Sequence, residues 1–177
     1  MGVTFMRHIL LYGVIVVLAA LGVAEGLGGG NPVGAQEPPA PLRIRWQITG
    51  QASARAEDGS RIVLMGNGTF TPGTRDDVAG GGTWTTQSRS GEVSGSGTYL
   101  VTELLNWQEA PTTSATDRAG LAALRVRYSN ASEGILVVSC HLTGTPNSVF
   151  EGITASMGYV QYWNRDAEST LFTPIRE

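Results

Sequence analysis

Apolar and polar residues alternate strictly from Leu42 to Thr49. Leu42, Ile44, Trp46 and Ile48 fall on one side, Arg43, Arg45, Gln47 and Thr49 on the other. Period two sends successive side chains to opposite faces, so this stretch reads as a strand with one buried and one wet face. Further strand patterns follow at hairpin spacing, over 61–71, 82–88, 97–107, 121–128, 135–142, 148–153 and 158–163, separated by turn residues such as Glu57-Asp58-Gly59-Ser60, Ser90-Gly91 and Ser129-Asn130-Ala131. The 135–142 run is almost wholly apolar, as expected of a strand buried on both faces. No convincing helix appears. Leu171-Phe172 is a short apolar piece in a polar tail that can pack back onto the body.

Three segments repeat one another within this pattern: Gly66-Asn67-Gly68-Thr69-Phe70, Gly80-Gly81-Gly82-Thr83-Trp84 and Gly95-Ser96-Gly97-Thr98-Tyr99. Each reads Gly-x-Gly-Thr-aromatic, and the spacing is that of one strand plus one turn. Paired glycines in a strand favour bending or close backbone approach, and a sheet bent at the same level three times curls toward closure. The fold class is therefore all-β: a small antiparallel up-and-down barrel of about eight strands, with a β-sandwich as the alternative. Closure is favoured because it removes exposed strand edges.

The first 35 residues read as a signal peptide. Arg7 and His8 precede an apolar run over 9–21, and small-x-small cleavage sites end at Ala24 and Ala35. The run is short for a spanning helix, which needs ~20 residues, and cleavage would leave no membrane segment. The expected organisation is a signal peptide over 1–35, a proline-rich leader over 36–41 and one domain over 42–177, secreted or periplasmic.

Composition narrows the chemistry. All 12 basic residues are arginine against 15 acids, for a net charge of −3, and their scatter argues against a nucleic-acid partner. Without lysine there is no Schiff-base chemistry. One cysteine, Cys140, gives no intramolecular disulfide, and with His141 as the sole histidine after the signal it gives too few ligands for a usual zinc site. No metal or cofactor is expected.

Residues 134–144 read Gly-Ile-Leu-Val-Val-Ser-Cys-His-Leu-Thr-Gly, followed by Ser148-Val149-Phe150-Glu151-Gly152-Ile153 and Gly158-Tyr159-Val160. This block resembles the closing strands of the allene oxide cyclase and dirigent barrels. It departs from them at Thr143-Gly144-Thr145-Pro146-Asn147, where those families carry a run of glycines. The resemblance implies an eight-stranded antiparallel barrel with an apolar internal cavity; it carries over no activity, since one fold hosts different chemistries.

The leading expectation is an exported barrel that holds a small, largely apolar molecule inside, with a cyclase- or isomerase-type conversion left open. Tyr99, Val101, Glu103, Leu105 and Trp107 share one face of the 97–107 strand. Glu103, His141, Arg125 or Arg127 would then orient a ligand among Tyr99 and Trp107, with Glu151 of the Phe-Glu-Gly step nearby. Each has a structural reading as well: Glu103 paired to Arg125 or Arg127, His141 as a bonded buried imidazole, Glu151 as a turn residue. The alternatives are a non-enzymatic carbohydrate-binding or structural module and a homo-oligomer with a solid barrel. An exposed row of aromatics would point to sugar.

Overall fold

The computed structural model describes residues 41–167 and 170–175. The expected signal peptide and the leader up to residue 40 lie outside the described residues. Among these residues nine strands form one antiparallel sheet: β1 (Arg43–Ala56), β2 (Arg61–Phe70), β3 (Val78–Gln87), β4 (Val93–Ala110), β5 (Ala119–Tyr128), β6 (Glu133–Cys140), β7 (Gly152–Met157), β8 (Val160–Ala167) and β9 (Thr170–Ile175). Each pairs with the next from β1 to β8, and β8 returns to β1, closing an eight-strand, barrel-like ring. The single closed sheet replaces the sandwich alternative.

β1 makes closure possible by being long. Its whole length pairs with β2, while its free edge is shared: Ser53 to Ala56 pair with β8 and Arg43 to Ile48 pair with β9. An irregularity between Ile48 and Ala52 bends β1 where the two partners change over. β9 is where the structure departs most from the sequence pattern, which gave Leu171-Phe172 only as a packing piece. Phe172 pairs opposite Trp46, and its carbonyl accepts from the Arg118 amide at 2.8 Å, so β9 lies between the first half of β1 and the start of β5. Residues 154–157, expected as a connection, belong to β7, and β8 begins two residues later than its pattern suggested.

The glycine repeats clear space for aromatic rings. Gly68 faces Trp46 across β1–β2 and Gly80 across β2–β3, and a methyl group on Gly68 would collide with the Ala79 carbonyl, the Trp46 indole nitrogen and the Gly80 Cα. Gly66 leaves room for the Tyr99 hydroxyl, and Gly95 and Gly97 lie under the Trp84 ring. Aromatic side chains thus cover glycine backbone on the inner wall and replace the side chains the glycines lack. The interior is filled in consequence. Trp46, Phe70, Tyr99, Tyr128 and Phe172 are fully buried among Ile44, Ile62, Leu64, Leu124, Leu136 and Ile153. Trp107 packs against Phe70 and Phe172 with ring centroids 5.2 and 4.8 Å away.

Candidate functional site

The residues singled out in the sequence do not converge on one site. Glu103 sits on the outer wall. Register irregularities at Val101/Glu103 and Leu104/Asn106 interrupt the alternation of β4, so Tyr99, Val101 and Leu104 point inward while Glu103 turns out. This corrects the shared-face expectation, which held only for an unbroken strand. On the outside, the Glu103 carboxylate accepts from Arg125 Nε at 2.8 Å and Arg75 Nε at 2.6 Å. Arg127 is largely exposed and lies 4.0 Å from Glu133.

His141 and Glu151 come together through the backbone. The Glu151 carboxylate accepts from the His141 amide at 2.7 Å, the Thr170 amide at 2.9 Å and the Thr170 hydroxyl at 2.7 Å, tying the ends of β6 and β9 to the loop before β7. His141 Nδ1 bonds the Val149 carbonyl at 2.8 Å. Cys140 points the other way, buried with Leu136 and Val138, and burial first, then Glu151, pushes its thiol up to about 12. It is therefore a protonated core thiol at neutral pH.

Tyr99 is interior, and Trp107 packs half-buried against the core. Burial, with a smaller contribution from Tyr128, raises the Tyr99 phenol well above its ordinary value. The Tyr99 hydroxyl and the Trp46 indole N–H are buried with no hydrogen-bond partner among the described residues. That is a cost accepted for setting both rings over glycine.

Arg125 first and then Arg75, by hydrogen bonds, hold the Glu103 carboxyl below the usual carboxylate range. A group whose folded pKa is depressed contributes stability above its unfolded value, near 4.3, and loses it as pH falls through the folded one. Glu103→Gln should therefore be modestly less stable than the parent at pH 7 and indistinguishable from it in strong acid. Urea denaturation at both pH values checks this.

The recess that stands out lies elsewhere, on the outer wall where β1 ends and β8 begins. A groove of about 610 Å³ is lined by Arg55 and Ala56 of β1, Glu57 and Asp58 of the β1–β2 turn, Tyr159 of the β7–β8 turn, and Val160, Gln161, Trp163 and Asn164 of β8. Tyr159 is fully exposed and Trp163 is 62 % exposed. The Trp163 indole N–H donates to Gln161 Oε1 at 2.6 Å, which steadies the ring although it projects into solvent. Arg55 gives both Nε and a terminal nitrogen to Asp166, each at 3.2 Å, and Arg61 pairs with the same carboxylate. Asp58 accepts from the Ser60 hydroxyl at 2.6 Å and amide at 2.9 Å, and these bonds keep its carboxyl below the ordinary range and ionised.

Beyond Trp163 a second groove of about 150 Å³ continues over Ile135, Val137, Thr154, Ala155 and Ser156, with Gln161 and Trp163 common to both. The Tyr159-Gln161-Trp163 alternation was present in the sequence, but Tyr162 beside it is buried, and composition does not separate the two kinds of aromatic. No protein-family model matches this chain, and neither does any curated protein or solved structure.

Proposed function

We propose that this chain is an exported, non-catalytic binding module that takes carbohydrate on its outer wall, across the Tyr159–Trp163 groove. The observation that carries this reading is Trp163: a large aromatic left 62 % exposed and braced by Gln161 in place of being folded into the core. Single exposed apolar residues are ordinary, but here Tyr159, Val160 and Ile135 stand exposed beside it. A sugar ring offers an apolar face of C–H groups and a rim of hydroxyls. Aromatic faces suit the first, and the Gln161, Asn164 and Asp58 side chains supply donors and acceptors for the second.

Two further observations favour this over an apolar molecule held inside. An interior ligand would have to displace Trp46, Tyr99 or Phe172 from a packed core. The acid and imidazole groups considered for chemistry are engaged elsewhere: Glu103 with two arginines, Glu151 with three donors, His141 with a carbonyl.

Trp163→Ala should lower affinity for a bound soluble oligosaccharide tenfold or more, about 1.4 kcal/mol, while leaving stability within about 0.5 kcal/mol. Isothermal titration against a panel of neutral glucans and chito-oligosaccharides, with denaturation as the control, measures both. Equal affinity in the variant would remove the groove from consideration.

A further inference from the structure

We infer that the groove takes an extended run of several neutral sugar units, with one ring on Tyr159 and another on Trp163, and not a lone monosaccharide or an acidic chain. This rests on the carbohydrate reading above and goes beyond it in length and charge.

Length follows from spacing. Tyr159 and Trp163 line one groove and are four residues apart, which along extended chain spans up to ~13 Å. Two aromatics on one groove offer two stacking positions, one for each of two sugar rings. Between them stands Gln161, whose carbonyl oxygen is occupied by the Trp163 indole. Its amide NH2 has no part in that bond and is a donor on the groove lining for a hydroxyl or bridging oxygen of the chain. The groove volume of about 610 Å³ is in the range of sites for drug-sized ligands, more than one ring requires. Past Trp163 the recess continues over Ile135, Val137 and Ala155, an apolar floor for the face of a further unit.

Charge follows from the pairing of ions at the polar end. Among the described lining residues one arginine, Arg55, stands against two carboxylates, and it shares Asp166 outside the groove with Arg61. The carboxylates of Glu57 and Asp58 remain on the groove wall. A uronate or sulfate would meet a lining with more carboxylates than cations, whereas hydroxyl or acetamido groups would meet acceptors.

The test is isothermal titration of the exported chain with a neutral β-linked glucan or chito-oligosaccharide series from one to six units, and with an oligogalacturonate of matched length. Affinity should rise at least tenfold from monomer to tetramer. Tyr159→Ala should flatten that rise while leaving weak binding, Trp163→Ala should lower affinity at least tenfold at every length, and the oligogalacturonate should bind at least tenfold more weakly. A monosaccharide that binds as tightly as the hexamer would overturn the extended-chain inference but leave the carbohydrate reading standing. An acidic oligomer that binds equally well would overturn the charge assignment. If no member of the panel binds, the carbohydrate reading fails, and the inference with it.

Discussion

Phe172→Ala should destabilise the domain by about 3–5 kcal/mol, a large part of what holds a single domain of this size. The side chain is fully buried, its ring is 4.8 Å from Trp107 and 6.2 Å from Phe70, and its strand closes the free edge of β1. Removing the ring leaves a void against two aromatic rings held by their own strands, and such rings collapse poorly into empty space. Urea denaturation gives the loss directly. Amide exchange should show β9 and the first half of β1 opening before β4 and β5, because β9 is short and is held by its rings, β1 and the Glu151 carboxylate. A loss below about 1 kcal/mol would mean that β9 is an appendage.

Gly82→Ala should cost about 1–3 kcal/mol or more, although it adds one methyl group. A Cβ at this position would overlap the Met65 carbonyl and crowd the Gly66 Cα, and both are backbone atoms locked in the β2–β3 ladder. The matched control is Gly95→Ala. There the nearest atoms are Trp84 ring carbons at 3.2–3.3 Å and the Thr86 hydroxyl at 3.3 Å, side-chain groups that can give by a few tenths of an ångström. Comparing the two by denaturant midpoint separates close backbone approach from simple loss of chain flexibility, which both substitutions share. Equal costs would show that the glycine ribbon is not needed for strand proximity.

How much of this was legible in the sequence differs by element. The Leu42–Thr49 alternation specified β1 because its apolar face is buried from Ile44 onward, with Ile44, Trp46 and Ile48 in the core, while Leu42 lies exposed before the strand. The glycine repeats signalled curvature through their spacing. What they could not show was the register that lays Trp46 over Gly68 and Gly80, because cross-strand partners are set by long-range pairing. β9 was hidden because two apolar residues in a polar tail carry too little periodicity, while its real support is the edge of β1.

Glu103 was misplaced for a local reason: two irregularities in β4 shift the alternation, and nothing in Val101 to Asn106 announces them. Trp163 was one of several aromatics for which the interior is the usual destination. Its exposure depends on Tyr162 taking the inward position of β8, a choice the Tyr-Trp pair leaves open.

The central claim is that the barrel is filled by its own rings, so that any ligand meets the outer wall. The indole N–H resonances test it most directly, because Trp46 and Trp84 lie in the core, Trp107 packs against it, and Trp163 lies in the groove. Titrating the nitrogen-15-labelled chain with a neutral hexasaccharide should shift the Trp163 indole signal progressively and leave those of Trp46, Trp84 and Trp107 in place. Movement of the three inner signals with Trp163 unmoved would place the ligand inside the ring and contradict the account.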